Sequence, residues 1–315
     1  AGQPVRAMLE HTVCNLCGSN DSSPFRQGRD WQLGGSETFY HVRCRHCGLI
    51  YLNPRPAPDT MDRYYPSDYE PFIRSAENQG SRFARWNYAR YLNRRCRLIS
   101  RRRPPGRLLD VGCASGDFLA RLREYGWHGQ GVEPNAAAVK AARRKHGLDV
   151  FQGTLHQACL PSSYFDIVTL WDVLEHVYDP SAELVEIHRL LQSEGLLVVE
   201  VPNPHSLDAA LFGRYWIGLD MPRHLHVFPW RPLAEMLSRC GFRILSRHCS
   251  SGGYGAFVRS LESWSSDGPQ KWLNRLGGYL ASRPALRLLL LPYVYLAYGL
   301  RRGPEITVIC EKIDQ

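Results

Sequence analysis

The sequence has no internal repeat, no low-complexity tract and no apolar run long enough for a confident transmembrane helix. Its first residues lack the apolar core of a signal peptide, so we expect a chain that stays in the cytoplasm. Disulfides are rare in such a reducing compartment, and the ten cysteines are therefore expected to be thiols and metal ligands. These absences leave a globular protein that works under reducing conditions.

Size and composition are those of an ordinary globular protein with a large core. The chain has 315 residues, of which 44% are hydrophobic and 22% are charged. Its formal net charge of +9 favours anionic partners, namely nucleic acid, anionic lipid or a phosphorylated substrate. Such charge also fits a solvated helix face or a linker, because much of it is concentrated in one segment. The arginines of that segment are Arg94, Arg95, Arg97, Arg101, Arg102, Arg103 and Arg107.

Two C-x2-C pairs precede the arginine-rich segment. Cys14 and Cys17 form the first pair, Cys44 and Cys47 form the second, and a glycine follows each pair. Four thiolates at this spacing suit a tetrahedral Zn²⁺ site. A zinc ion with four thiolate ligands has no open coordination position, so we expect this site to stabilise the fold rather than to catalyse.

Three regions follow from these patterns. We predict a zinc-ribbon-like module over 1–75, an arginine-rich helix (81–100) with a linker over 76–106, and an α/β domain over 107–315 with a helical insertion at 251–303. In the α/β domain strands alternate with helices, which predicts a Rossmann-like parallel sheet with helices on both faces. Ligands of such sheets bind at the carboxyl ends of the strands. The predicted strands are 108–111, 129–133, 148–151, 165–171, 196–201, 242–247 and 306–310, and the predicted helices are 117–125, 135–146, 180–191 and 233–240.

The first strand of that domain ends in a loop of small residues that begins at Gly112. A dinucleotide-binding loop would have the pattern G-x-G-x-x-G, which requires glycine at positions 114 and 117. The chain has Ala114 and Asp117 there, which excludes a dinucleotide site of this type. It has instead the pattern D-x-G-x-x-x-G from Asp110 to Gly116, in which backbone N–H groups can approach a ligand at a helix N-terminus.

This pattern resembles the first motif of class I S-adenosylmethionine-dependent methyltransferases. The resemblance implies that S-adenosyl-L-methionine (SAM) is the cofactor and that the loop approaches its amino-acid end. Glu133, at the end of the second strand, would accept hydrogen bonds from both ribose hydroxyls, although the helix dipole also favours an acid there. The residues implied in cofactor binding are Asp110, Gly112, Cys113, Ala114, Gly116, Glu133, Pro134, Asp172 and Val173.

Segment 171–180 resembles the one that follows the fourth strand in many small-molecule methyltransferases. There, residues such as Asp172 and Val173 flank the adenine or methionine part of SAM. The segment is also similar to ubiquinone-pathway O-methyltransferases, in which acids and a histidine at the positions of Asp172, Glu175 and His176 can hold a divalent metal. Helical spacing would place these three on one face. Structural hydrogen bonds by Glu175 and His176 are the alternative.

A zinc-binding amino terminus ahead of a class I core also resembles the deoxysugar C-methyltransferases and related enzymes of saccharide and natural-product biosynthesis. There a His-Glu-His stretch supplies a base, whereas this chain has His224, Leu225 and His226. Leu225 puts C-methylation in doubt, because removal of a proton from carbon requires a strong, oriented base. The resemblance implies His226, His224 or His176 as a base for a hydroxyl or amine proton. Satisfied loop histidines are the alternative.

The insertion carries an arginine-flanked apolar stretch at 288–300, which contains Pro292. This stretch is too short and too interrupted to span a bilayer. It suits an interfacial hairpin that contacts a membrane surface through 285–302. A buried helix pair or a dimer interface would also account for it.

Together these patterns predict a SAM-dependent methyltransferase that acts on a small-molecule acceptor. We expect the acceptor to be a hydroxyl of a saccharide or polar natural product, either nucleotide-linked or lipid-linked; C-methylation of a keto-deoxysugar is the alternative. A different class would be a zinc-ribbon protein that binds or modifies RNA through the arginine-rich segment. Two absences disfavour RNA as a partner. The chain has no stacked-aromatic motif of RNA-binding sheets. It also has no Asn-Pro-Pro-Tyr-like segment after the fourth strand, which would resemble base-amine methyltransferases.

Overall fold

The computed structural model describes residues 8–66, 82–249, 253–267 and 287–314. Its amino-terminal part consists of short strands and one 3₁₀ helix. Strands β2, β3 and β4 are antiparallel neighbours in one sheet, and β1 pairs with β5. The bounds are β1 Leu9–Glu10, β2 Ser22–Gly28, β3 Phe39–Cys44, β4 Ile50–Leu52, β5 Arg55–Pro56 and the 3₁₀ helix Pro58–Tyr64.

The rest of the chain alternates helices and strands, as predicted. It begins with helix α1, Arg82–Ser100, which matches the predicted arginine-rich helix. The elements that follow are β6 Arg107–Val111, α2 Asp117–Arg123, β7 His128–Glu133, α3 Ala136–His146, β8 Asp149–Gln152, β9 Phe165–Trp171, α4 Pro180–Leu190, β10 Leu191–Pro202, α5 Leu207–Phe212, β11 His226–Val227, α6 Trp230–Arg239, β12 Phe242–His248, α7 Gly253–Asp267, α8 Arg287–Gly299 and β13 Glu305–Lys312.

A seven-stranded sheet of order β12-β13-β10-β9-β6-β7-β8 lies at the centre of this part. The strands from β6 to β10 are parallel, as predicted. Strand β13 is antiparallel to both of its neighbours, so the sheet is mixed and not parallel throughout. The connection from β12 to β13 returns the chain to the carboxyl end of β10. There the Asn203 N–H donates to the Pro304 carbonyl (2.7 Å), and β13 has to run back across the sheet.

Helices cover both faces of the seven-stranded sheet. On one face α1, α2 and α3 bury Cys96, Phe118 and Val139, and on the other α4 and α6 bury Ile187 and Met236. Burial of such apolar side chains is the main driving force for folding. Both C-x2-C pairs pack against the second of these cores, so the amino-terminal part is docked on the α4 and α6 face.

Strand β11 does not join the seven-stranded sheet. Its residues His226 and Val227 pair with Tyr51 and Ile50 of β4, which extends the amino-terminal sheet to the order β11-β4-β3-β2. Regions on the two sides of the predicted boundary at 107 therefore share one sheet in space. The division of the chain into domains stays a prediction.

Pro232 and Pro292 both lie within helices. Helix α6 begins at Trp230, three residues before the predicted start, because Pro232 is accommodated in its first turn, where no N–H is needed. Pro292 lies within α8, which is a single helix and not the predicted hairpin. Residues 285 and 286 of the predicted membrane contact lie outside the described residues. Among the helices of the described ranges, none is long and apolar enough to cross a membrane.

Candidate active site

The loop between β6 and α2 adopts backbone conformations that favour small residues. Gly112 and Gly116 have φ values of 71° and 77°, in the left-handed region. A Cβ atom on Gly112 would lie 2.5 Å from Cγ2 of Val173, and one on Gly116 would lie 2.4 Å from Cδ1 of Leu148. Glycine at these two positions therefore lets the loop pack directly against its neighbours.

Glu133 holds this loop from the end of β7. One carboxylate oxygen accepts from the Ala114 N–H (2.9 Å), and the other accepts from the Asn135 N–H (2.8 Å). Each oxygen has a second lone pair, so the carboxylate can still accept from two hydroxyls of a ligand. Asp110 lies near it, and its carboxylate accepts from the Thr169 hydroxyl (2.6 Å). Burial raises the pKa of Asp110 to about 7, and the Glu133 charge adds to this effect.

A cavity of about 2620 Å³ opens at the carboxyl ends of the parallel strands. Nearly all of the predicted cofactor residues line it. Gly116 is the exception: it faces α3 and acts through close packing. The lining residues from the prediction are Asp110, Gly112, Cys113, Ala114, Glu133, Pro134, Asp172 and Val173.

Arg95 is a residue of this site that the sequence analysis did not single out. Its guanidinium donates to Asp172 (3.1 Å) and to Glu200 (2.6 Å), and it lies between the rings of Tyr91 and Trp171. One signal could have identified it. Arg95 falls on the same helical face as buried apolar residues three positions before and four positions after it, whereas most of the neighbouring arginines are exposed.

Two histidines line the same cavity. The Nδ1 atoms of His176 and His224 lie 3.1 and 2.9 Å from the carbonyl oxygens of Arg223 and Gly218. Because a carbonyl oxygen only accepts, we assign the proton to Nδ1 and a lone pair to Nε2 in each ring. In His176 the Nδ1–H is then shared with the Tyr65 hydroxyl oxygen (2.9 Å), which accepts. Burial lowers the pKa of His176 to about 3 and also lowers the pKa of His224, so both rings are neutral at pH 7. Each Nε2 is therefore available as a proton acceptor or as a metal ligand.

Glu175 lies beside these rings. It is 1% exposed, and among the described residues neither of its carboxylate oxygens has a hydrogen-bond partner. Burial, with the nearby Asp172 charge, raises its pKa well above the usual range. Donor atoms of Glu175, His176 and His224 lie within 4.8 Å of one another, so these groups could hold a divalent cation. Asp172, which was predicted as a member of the metal set, pairs with Arg95 instead.

His226, the other predicted base, lies elsewhere. It is 3% exposed, belongs to β11, stacks on Phe228 and does not line the cavity. The pairing of β11 with β4 places this residue in the amino-terminal sheet. Of the three predicted histidines, the structure thus brings only His176 and His224 to the cavity.

A buried ionic cluster joins the amino-terminal part to this site. Arg223 is fully buried and donates to both oxygens of Asp220 (2.6 and 2.9 Å) and to both oxygens of Asp30 (2.7 and 2.8 Å). Although burial opposes it, the Arg223 guanidinium lowers the pKa of Asp220 below its usual range. Gln32 also donates to Asp220 (2.7 Å), and Gln32 and Tyr65 line the cavity. The amino-terminal part therefore forms one wall of the site.

The four predicted zinc ligands converge on one point. The Sγ atoms of Cys14 and Cys47 are 3.3 Å apart, those of Cys17 and Cys44 are 3.5 Å apart, and all four lie within 4.8 Å of one another. The glycine after each pair has a positive φ, which permits the turn that the knuckle requires. Four convergent thiols are a donor set that fits Zn²⁺.

A family model described as a methyltransferase domain matches residues 81–247. The chain belongs to this family. The matched range includes the cofactor loop, Glu133 and both cavity histidines, so the protein carries a SAM-dependent methyltransferase domain. The predicted class I α/β fold is confirmed, with the mixed sheet as the difference.

Curated relatives match a shorter stretch of the chain. The chain is 29% identical over 139 residues to a ubiquinone biosynthesis O-methyltransferase of Rhodopseudomonas palustris strain BisA53. The match covers 42% of the chain and 55% of that protein. It is 32% identical over 127 residues to the enzyme of the same name from Cereibacter sphaeroides strain ATCC 17025, covering 38% of the chain and 51% of that protein. The chain thus spans about half the length of the curated relatives it matches.

Solved structures share the fold at low sequence identity. A SAM-dependent methyltransferase from Archaeoglobus fulgidus is 20% identical with a TM-score of 0.51, and the match covers 79% of this chain and 100% of that one. The 4+2 cyclase SpnF is 19% identical with a TM-score of 0.54, and covers 83% of this chain and 98% of its own. Because a cyclase has the same architecture, the fold alone does not decide the reaction.

Proposed function

We propose that this protein transfers the methyl group of SAM to a hydroxyl of a saccharide or similar polar natural product, nucleotide-linked or lipid-linked. One observation carries the proposal: two neutral histidines with free Nε2 lone pairs line the same cavity as the small-residue loop and Glu133. SAM, when bound, supplies a methyl group that is already activated on a sulfonium. The protein then has to align the acceptor, exclude water and take up one proton.

His224 is the better of the two bases. Its Nδ1–H is held by the Gly218 carbonyl, so Nε2 can accept the proton of an acceptor hydroxyl. The carboxylate of Asp220 acts on this ring as the main charge that favours its protonated form. Asp220 therefore stabilises the imidazolium that forms as the proton arrives.

Glu175 and His176 complete the acceptor site in this proposal. The unpartnered Glu175 carboxyl group can hydrogen-bond to a polyhydroxylated ring, which would satisfy its buried oxygens. The Tyr65 hydroxyl lies 2.9 Å from His176 Nδ1 and holds that ring in place. If a divalent cation occupied the three groups, it would lower the pKa of the acceptor hydroxyl.

The proposed function is tested in two stages. We expect S-adenosylhomocysteine to bind the purified protein, and Glu133→Gln to weaken that binding by roughly tenfold through loss of charged hydrogen bonds to the ribose. Calorimetry measures both values. Labelled methyl transfer to a panel of sugar-nucleotide and lipid-linked acceptors then identifies the substrate. Absence of S-adenosylhomocysteine binding would contradict any methyltransferase function.

We also propose that the residues up to about 75 form a zinc-stabilised module. We expect one zinc ion per chain in the purified protein, and loss of that ion in Cys17→Ser because three thiolates no longer close the site. The control is Cys159→Ser, which replaces an exposed cysteine outside the cluster and should retain the metal. Elemental analysis of the three proteins measures the outcome. A wild-type protein without zinc would refute the assignment.

A peripheral contact of the protein with the inner face of a membrane is a further part of the proposal. Leu289, Tyr295, Leu296 and Leu300, in α8 and just beyond it, are between 54% and 72% exposed. Exposed arginines at 301 and 302 follow them. An apolar face with flanking cations suits the surface of an anionic bilayer.

We expect the protein to float with vesicles of phosphatidylglycerol and phosphatidylcholine. The change Leu296→Ser should weaken this binding by roughly tenfold, because a leucine side chain is no longer buried in the lipid. Val185→Ser is the matched control, since Val185 is 58% exposed and lies on α4. If the wild-type protein stayed with the unbound fraction, the membrane contact would be ruled out.

A further inference from the structure

The cavity changes charge between its inner and outer ends. Its inner end is lined by buried carboxyl groups, among them Glu175 (1% exposed) and Glu200 (2% exposed). Exposed arginines of α1 and of the turn after it line the outer end, among them Arg94, Arg101 and Arg102. A ligand that fills this cavity therefore meets hydrogen-bond acceptors at one end and positive charge at the other.

Arg101 and Arg102 differ from Arg95 and Arg103 of the same segment in their partners. Arg95 pairs with two carboxylates, and Arg103 lies near Glu311 and donates to a backbone carbonyl. Within the described part of the chain, no carboxylate lies at ion-pair distance from Arg101 or Arg102. Arg102 donates to the Ser246 hydroxyl of β12 (3.0 Å), which fixes the guanidinium next to the end of that strand.

His248, which belongs to β12, is a further basic group near these arginines. It lines the cavity, and its Nε2 atom is buried without a hydrogen-bond partner among the described residues. Arg102 donates to Ser246, two residues before His248 on the same strand, so the side chains of Ser246 and His248 lie on one face of β12. Burial, together with the charges of Arg102 and Arg94, lowers the pKa of His248. Arginines near a helix C-terminus can simply stabilise the helix. That explanation does not account for His248, which belongs to a different element.

We propose that Arg94, Arg102 and His248 bind a phosphate or diphosphate group of the acceptor at the outer end of the cavity. The inference rests on the proposed function, since it describes the acceptor of that reaction. Guanidinium forks match phosphate oxygens in pairs, and a doubly charged group suits the two guanidinium cations. The neutral His248 ring can donate an N–H to the same group. The cavity, at about 2620 Å³, exceeds the 300–1,000 Å³ that is typical of small-ligand sites, so it has room for SAM and a large acceptor.

Calorimetric titration with inorganic pyrophosphate tests this site in the presence of saturating S-adenosylhomocysteine. We expect Arg102→Gln and His248→Gln to weaken pyrophosphate binding, by about tenfold for the arginine. Arg85→Gln is the matched control, because Arg85 is exposed on the same helix and does not line the cavity. Equal pyrophosphate affinity in Arg102→Gln and Arg85→Gln would overturn the proposal, as would an absence of binding to the wild-type protein.

Two further probes separate the sources of the phosphate. Tighter binding of uridine diphosphate than of pyrophosphate supports a nucleotide-linked acceptor. Tighter binding of phosphatidylcholine vesicles that carry a polyprenyl diphosphate than of pyrophosphate supports a lipid-linked acceptor. Binding of single-stranded RNA that is lost in Arg102→Gln, without any pyrophosphate binding, would overturn the proposal in favour of RNA. S-adenosylhomocysteine affinity, measured on every variant, reports folding. If the wild-type protein did not bind S-adenosylhomocysteine, the methyltransferase function would be refuted. The pyrophosphate titrations of the wild-type protein and its variants would then test the phosphate site separately.

Discussion

Replacing His224 by alanine is expected to lower kcat for methyl transfer by about 10²–10⁴-fold, the range for loss of a general base. The affinity for S-adenosylhomocysteine should not change, because His224 is not among the residues that hold the cofactor loop. The measurement combines initial rates on the acceptor found in the panel with calorimetry of S-adenosylhomocysteine. A rate loss with intact cofactor binding assigns His224 to proton removal or to acceptor binding, and the pH profile separates these roles.

The pH profile follows from the direction of the His224 pKa shift. Burial lowers the pKa of this imidazole, so the neutral, proton-accepting form is present at pH 7. We expect the acid limb of kcat to lie below pH 6.5, the ordinary value for histidine. The limb should disappear in His224→Ala, whereas it would persist if the residue only positioned the acceptor.

His226 provides the matched control for this experiment. It is also a buried histidine, two residues further along, but it lies in the amino-terminal sheet and away from the cavity. His226→Ala should keep kcat within a few-fold of the wild-type value in the folded protein. If His226→Ala lost the activity and His224→Ala kept it, the base would have to be reassigned to His226.

Replacing Arg223 by alanine is expected to destabilise the protein by about 3–5 kcal/mol, the usual cost of removing one partner of a buried ion pair. The loss leaves two carboxylates, Asp30 and Asp220, buried without their guanidinium. Arg223→Lys should recover only part of the stability, because an ammonium cannot make four hydrogen bonds in the fixed fork of arginine. Urea unfolding gives the free energies.

Arg243→Ala is the control for the buried cluster. Arg243 pairs with Glu311, but its side chain is 66% exposed, and exposed ion pairs contribute about 0–1 kcal/mol. Equal free energies of unfolding for Arg223→Ala and Arg243→Ala would contradict the role given to the cluster.

Asp220 makes the stability of the protein depend on pH. The pKa of Asp220 is lowered in the folded protein. Its contribution to stability is therefore complete above the unfolded value of about 4 and is lost as the pH falls below that value.

The parts of the site that depend on local sequence were predictable. The loop from Gly112 to Gly116 and the acid Glu133 follow directly from the strand and helix pattern, because strand ends in a parallel sheet meet at one edge. The four-cysteine cluster was equally visible, since each knuckle is formed within a few residues. In both cases the residues that act together are close in sequence or lie at equivalent strand ends.

The parts that depend on distant contacts were not predictable. Sequence reasoning could not separate His224 from His226, because the choice depends on the pairing of β11 with β4, far away in the chain. Asp30 and Arg223 are 193 residues apart, and neither has a local pattern that indicates the other. The direction of β13 depends on where a long insertion returns, which the apolar pattern of 306–310 does not reveal.

The pairing of β11 with β4 also sets an order of events during synthesis. Strand β4 leaves the ribosome long before its neighbour β11 has been synthesised. The edge of β4 that pairs with β11 is therefore unpaired while most of the methyltransferase domain is translated. An exposed strand edge is a site for unwanted association. Expression of the first 75 residues alone would keep that edge open permanently, whereas the complete chain closes it with a strand of its own.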